Sequence, residues 1–114
     1  MSDTRDVWVF IEQDSGRIAE VSLELVAKGR ELADRLGSEL WALLLGEGVE
    51  GLAKDIIEQG ADRVLLAEDQ ELALYRTLPY ARIVTKLVAE KTPYILLFGA
   101  SPVGRDLGPR VASA

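Results

Sequence analysis

Residues 7–11 have the sequence VWVFI, a continuous apolar run of β-branched and aromatic side chains. An unbroken apolar run of this length is typical of a strand that is buried on both faces, as in a parallel sheet. Three later stretches, residues 39–45, 63–67 and 94–98, have the same character and are predicted to be the second, third and fourth strands. The sequence therefore predicts a sheet with no solvent-facing side.

Amphipathic stretches alternate with these strands. Apolar residues recur at helical spacing up to about Leu36, again from Leu52 to Gly60, and again from about Leu78 to Lys91. Gly29 lies on the apolar face of the first helix, where a small residue permits close approach to the sheet. A fourth helix is expected to begin in the closing stretch, residues 99–114.

This βαβαβαβα pattern predicts an α/β fold with a three-layer αβα architecture, in which the mostly parallel sheet is doubly wound. Such a domain is Rossmann-like, or similar to the adenine-nucleotide hydrolases. The expected strand order is 3-2-1-4. No linker or repeat divides the chain, so residues 1–114 are expected to form a single α/β domain.

Composition excludes several functions. The net charge is −6, which argues against nucleic acid as a partner because phosphate binding requires a basic surface. There is no cysteine and no histidine, so thiolate chemistry, the usual neutral-pH general base and the commonest metal ligands are missing. No apolar run approaches the roughly 20 residues that span a bilayer, and the first residues do not resemble a secretory signal. Neither membrane insertion nor a metal site is expected.

The predicted strand order places a cleft between strands one and four. Ligands of such folds bind beyond the carboxyl ends of the strands, where the strand order reverses. The rims of the cleft would be residues 12–16 and 99–105. The candidate binding residues there are Glu12, Gly99, Ser101, Gly104 and Arg105; no catalytic or metal-binding residue is assigned.

The closing stretch, GASPVGRDLGPRVASA, admits three interpretations. A nucleophile elbow requires G-x-S-x-G, but position 103 is valine and no histidine can activate Ser101. A phosphate loop would use the backbone N–H groups and Arg105, although the spacing matches neither the P-loop nor the dinucleotide motif. Alternatively, Ser101 caps a helix with Pro102 in its first position, and the glycines allow close packing. Pro109 would then kink the helix, unless the helix begins only near Asp106.

Several stretches together resemble the α subunit of electron transfer flavoprotein, including its nitrogen-fixation relatives. The most specific is residues 99–112, in which the family has a Gly-[Ala/Thr]-[Ser/Thr] start, a Gly-[Arg/Lys]-[Asp/Asn]-Leu centre and a Pro-Arg-Val-Ala end. Residues 7–12, 22–25, 32–33 and 60–64 also match but are ordinary for α/β domains. The resemblance covers essentially the whole chain.

The resemblance implies an incomplete N-terminal domain of a longer chain, without the C-terminal domain that holds most of the FAD site. FAD is then expected in the full-length protein, and none of the family's main flavin-binding residues can be assigned to a position here. The implied role is a scaffold and subunit interface in a heterodimer with the β subunit. That heterodimer carries electrons from flavoenzyme dehydrogenases to an acceptor, and this part of it has no catalytic residues.

The same resemblance weakens the phosphate-loop interpretation, because the nucleotide in this family, an AMP, is held by the related domain of the β subunit. The alternative function is a small adenine-nucleotide-binding domain of the universal-stress type. Bacterial cytoplasm is the expected compartment, with the mitochondrial matrix as second choice. A sheet that lacks its later strands leaves an edge uncovered, so the chain is also expected to self-associate.

Overall fold

Strand β1 (Val7–Ile11) lies in the interior of a four-stranded parallel sheet. The computed structural model describes residues 5–114. The other strands of the sheet are β4 (Leu40–Gly46), β5 (Arg63–Glu68) and β6 (Ile95–Leu97), and the order is β5-β4-β1-β6. This is the predicted order 3-2-1-4, so the α/β fold class and the strand order are confirmed.

All five residues of β1 are at most 1% exposed. The strand pairs in parallel with β4 on one side and with β6 on the other, with Val7 opposite both Leu40 and Ile95. Its side chains point alternately to the two faces, so an apolar residue at every position requires a covering layer on each face.

The helices form those two layers. Helices α1 (Glu20–Leu36) and α2 (Leu52–Gln59) cover one face, where Val7, Val9 and Ile11 join their buried side chains. Helices α3 (Thr77–Lys91) and α4 (Pro102–Ala112) cover the other face together with a short 3₁₀ helix, over Trp8 and Phe10. The predicted three-layer arrangement is confirmed. Within residues 5–114, no helix is both long and apolar enough to cross a membrane.

Gly29 allows α1 to pack closely on the sheet, as its position in the sequence predicts. A methyl group built on Gly29 would lie 2.8 Å from Leu40 Cδ1 and 2.9 Å from Val9 Cγ1, closer than van der Waals contact. The helix ends at Gly37, which has the left-handed conformation (φ 64°) that favours glycine.

Three local features differ from the sequence-based expectations. The sequence Asp14-Ser15-Gly16 predicts a simple turn, but this turn joins two short strands, β2 (Gln13–Asp14) and β3 (Arg17–Ile18), which are too short to produce a periodic signal. Its central residues both have positive φ, as in a type I′ hairpin. Helical spacing predicts Ile57 on the buried stripe of α2, but it is 42% exposed. The apolar run of β4 predicts Trp41 in the core, but it is half-buried where it stacks on Trp8 at 5.8 Å.

Substituting Gly29 by valine tests the close approach of α1. We expect Gly29→Val to lower the free energy of unfolding by about 2 kcal/mol more than Ala27→Val, because the added atoms overlap β1 and β4. Ala27 is exposed on the same helix, so it controls for the helix propensity of valine. Urea unfolding followed by circular dichroism measures both, and equal losses would contradict close packing at Gly29.

Candidate functional site at the carboxyl edge of the sheet

The two predicted rims meet through a hydrogen bond between Glu12 and Ser101. Glu12 directly follows β1, and Ser101 is the N-cap of α4. The Ser101 hydroxyl donates to Glu12 Oε2 at 2.6 Å and accepts from the Gly104 N–H at 3.0 Å. The predicted cap, with proline in the first turn, is therefore confirmed. Because the helix begins at Pro102 and runs through Pro109, the alternative start near Asp106 is wrong.

Glu12 is also held from the side of α1. Its N–H donates to Ser22 Oγ at 2.8 Å, and its carbonyl accepts from the Ala19 N–H at 2.9 Å. Ser22 is fully buried in the first turn of α1. The sequence analysis did not assign this role to Ser22; the available signal was a polar residue in line with the buried positions Val26 and Gly29.

Gly99 and Gly104 lie where a side chain would not fit. A methyl group on Gly104 would overlap the carbonyl oxygen of Gly99 and lie 3.0 Å from its carbonyl carbon. A methyl group on Gly99 would lie 2.9 Å from Val21 Cγ2 and 3.1 Å from Glu12 Oε2. Both glycines therefore bring the start of α4 directly against the end of β6 and the start of α1.

Four of the five candidate residues thus come together, while Arg105 stays apart from the group. Arg105 is exposed, and within residues 5–114 it forms no salt bridge. Its own N–H is used in α4, where it donates to Ser101 O at 2.9 Å. The first turn of α4 therefore uses its N–H groups at Gly104 and Arg105 internally.

Asp106 connects α4 to the segment that leads into α3. The Tyr75 hydroxyl donates to Asp106 Oδ2 at 2.7 Å, and the Thr77 hydroxyl donates to the same oxygen. The bond from Thr77 has the larger effect, and together the two bonds hold the pKa of Asp106 below its usual value. Burial, followed by the bond to Asp106, raises the pKa of Tyr75 to about 12. Sequence reasoning missed this cluster because about 30 residues separate its members, and no local pattern links them.

Next to these contacts lies a pocket of about 250 Å³, which we call the edge pocket. Its lining is mainly apolar and comes from the ends of β1 and β4, the segment before α3, α3 itself and α4. It includes Phe10, Leu45, Leu74, Tyr75, Tyr80 and Val103. Two carboxylates, Glu12 and Asp14, also line it, and among the described residues no lysine or arginine does. The pocket therefore disfavours an anion.

The carboxylates of residues 5–114 do not cluster into a metal site. Within residues 5–114 there is no group of three carboxylates placed to hold a metal ion. At the carboxyl edge of the sheet, the edge pocket and the Glu12–Ser101 contact beside it are features that a partner or ligand could use.

Comparison with known proteins identifies relatives over almost the full chain. The family described as "Electron transfer flavoprotein domain" matches residues 7–114. The chain is 49% identical over 112 residues, 98% of its length, to the electron transfer flavoprotein subunit alpha of Clostridium acetobutylicum. It is 50% identical over 113 residues, 99% of its length, to protein FixB of Clostridium saccharobutylicum.

A third relative has a different name. The chain is 45% identical over 109 residues, 96% of its length, to the acryloyl-CoA reductase electron transfer subunit beta of Anaerotignum propionicum. These matches cover 33%, 34% and 30% of the respective relatives, so the chain spans about a third of their length.

The contact between Gly104 and Gly99 can be tested by comparing two glycines of the same helix. We expect Gly104→Ala to lower the free energy of unfolding by about 3 kcal/mol, since the obstacle is backbone that cannot move aside. Gly108→Ala places its methyl group 3.4 Å from the Phe98 ring and removes a glycine from a helix, so it should be neutral or stabilising by up to about 1 kcal/mol. Chemical unfolding measures both variants, and equal tolerance would contradict the proposed packing.

The Asp106 cluster should make stability depend on pH in one direction. The folded pKa of Asp106 is lowered, so the charged carboxylate stabilises the fold above the unfolded pKa of about 4. This contribution is lost as the pH falls through the folded pKa. We expect Asp106→Asn to lower the Tm at pH 7 and the difference from the parent chain to shrink steadily below pH 4.

Thermal unfolding between pH 7 and pH 2.5 gives this comparison. Glu24→Gln, which neutralises an exposed carboxylate on α1, is the matched control and should leave the Tm difference near zero throughout. A Tm difference for Asp106→Asn that stays constant down to pH 2.5 would show that its charge is not what stabilises the cluster.

Proposed function

The chain belongs to the electron transfer flavoprotein family, and from this premise we propose that it is the N-terminal scaffold of an α subunit. In this role it provides a surface for a β subunit in a heterodimer. The heterodimer passes electrons from flavoenzyme dehydrogenases to a downstream acceptor. The two relatives named electron transfer subunits and the match over residues 7–114 support this assignment.

The hydrogen bonding of Ser101 at the start of α4 is the observation that carries the scaffold role. A nucleotide site at this place would need free backbone N–H groups at a helix N-terminus. Here the Gly104 N–H is bonded to Ser101, Ser101 is bonded to Glu12, and Gly104 packs on the Gly99 carbonyl. These contacts support the proposal that the stretch between β6 and α4 joins three elements and is not a ligand site.

The edge pocket does not fit a flavin dinucleotide. Its volume of about 250 Å³ is below the roughly 300–1,000 Å³ of typical ligand pockets. Its charged lining residues are Glu12 and Asp14, which repel a pyrophosphate. We therefore propose that FAD, the cofactor expected for the full-length protein, is held mainly by residues outside this chain.

The remaining assignments follow from the same role. We propose that the chain is an electron-carrier subunit without catalytic residues of its own, because the redox chemistry belongs to the flavin. The proposed compartment is the bacterial cytoplasm, in keeping with the bacterial relatives.

Co-expression with the β subunit of the same organism tests the proposal. We expect the chain and the β subunit to co-purify in a 1:1 complex, because a scaffold contributes an interface. Purified alone, the chain should show no absorbance between 350 and 500 nm after incubation with FAD and removal of the unbound FAD by desalting. Size-exclusion chromatography of the chain alone also measures the expected self-association.

Titration with AMP tests the alternative function, nucleotide binding. Micromolar AMP affinity that is lost in Arg105→Ala, but kept in the control Arg82→Ala, would replace the scaffold role by nucleotide binding. Arg82 is an exposed arginine on α3 and does not line the cleft.

A further inference from the structure

Acidic residues follow three of the four parallel strands. Because the strands are parallel, their carboxyl ends lie at one edge of the sheet. The acids that follow or end β1, β4 and β5 are Glu12, Asp14, Glu47, Glu50, Glu68, Asp69 and Glu71. Arginines also occur near this edge, at positions 17, 76 and 105, but none of them lines the edge pocket. The carboxyl edge around the pocket therefore attracts positive charge.

The edge pocket opens beside an unusually exposed leucine. Leu74 lines the pocket and is 75% exposed, whereas the pocket residues Phe10 and Leu45 are at most 1% exposed. An apolar side chain from a partner would bury Leu74 together with the apolar walls of the pocket and so remove apolar surface from water.

Glu12 lines the pocket, and only one of its two carboxylate oxygens has a hydrogen-bond partner among the described residues. Its Oε2 accepts from Ser101, and among the described residues no hydrogen bond reaches its Oε1. A half-buried carboxylate oxygen beside apolar side chains is stabilised by a positively charged or N–H donor. Asp14, exposed at the rim, adds a second negative charge.

We propose that the edge pocket is the docking site for a segment of a partner protein in which an apolar side chain is flanked by lysine or arginine. The apolar side chain would enter the pocket against Leu74 and Tyr75, and the basic residues would pair with Glu12 and Asp14. Charge complementarity selects this occupant, since the rim is acidic and the net charge of the chain is −6. The inference goes beyond the scaffold role, because it does not depend on which protein supplies the segment.

Matched peptides test the chemistry of the occupant. The probe is a rhodamine-labelled peptide, capped at both ends, with a central leucine flanked by two lysines on each side; one control replaces the lysines by glutamate, the other the leucine by alanine. Fluorescence anisotropy with the full chain should show the basic leucine peptide binding at least tenfold more tightly than either control. Raising NaCl from 50 to 300 mM should weaken it at least threefold, since exposed charges are screened.

Two similarly exposed leucines supply the matched variants. Leu74→Ala should weaken the basic leucine peptide at least fivefold, whereas Leu78→Ala should leave it unchanged because Leu78, 66% exposed, lies outside the pocket. Glu12→Gln should also weaken it, and its glutamine oxygen can still accept from Ser101. Circular dichroism checks that each variant is folded.

The opposite results would overturn the inference. These are no peptide binding below 1 mM, equal binding of the glutamate peptide, or the same loss in Leu78→Ala as in Leu74→Ala. Phenethylammonium, which has a charge and an apolar body but no peptide, must bind more weakly than the basic leucine peptide. If it binds as tightly, the pocket is a small-amine site. Because the assay contains neither flavin nor β subunit, its outcome is independent of the proposed electron-transfer role.

Discussion

The rest of the structure depends on the burial of β1 on both faces. A strand with five apolar residues in succession cannot present a side to water, so helices must cover the sheet above and below it. The close approach of α1 at Gly29 follows from this requirement. A larger residue at position 29 would clash with the side chain of Val9 on β1. On the opposite face, Phe10 packs against the Tyr80 and Phe98 rings and thereby anchors α3 and the end of β6.

The end of β1 then determines what the carboxyl edge can do. Glu12 is bonded through its backbone to α1 and through its carboxylate to the cap of α4, so one residue ties three elements together. The same strand–turn–helix arrangement can bind a phosphate when its N–H groups are free. In this chain the Gly104 and Arg105 N–H groups are used within the first turn of α4, and the Ser101 hydroxyl joins that turn to Glu12.

The charge of the edge pocket also determines which ligands it favours. The edge pocket combines carboxylates with apolar walls, an arrangement suited to a basic protein segment and unsuited to a flavin or nucleotide phosphate. Asp106 contributes indirectly, because its bonds to Tyr75 and Thr77 hold in place the segment that carries Leu74. Within the 99–112 stretch, Gly99, Ser101, Gly104 and Asp106 thus contribute packing and hydrogen bonds between elements.

The sequence by itself determined the elements whose signals are local. Local patterns predicted the strands, the helices, their order along the chain and the close approach of α1, because each depends on neighbours within a few residues. These patterns are the apolar runs, the helical spacing, the Ser101–Pro102 cap and the small residue at Gly29. Only the tertiary structure decided that Asp106 meets Tyr75 and Thr77, that Ser22 bonds Glu12, and that Leu74 remains in solvent beside a pocket. The two bonds to Asp106 join side chains about 30 residues apart, and their geometry is set by how the helix layers pack on β1 rather than by any pattern along the chain.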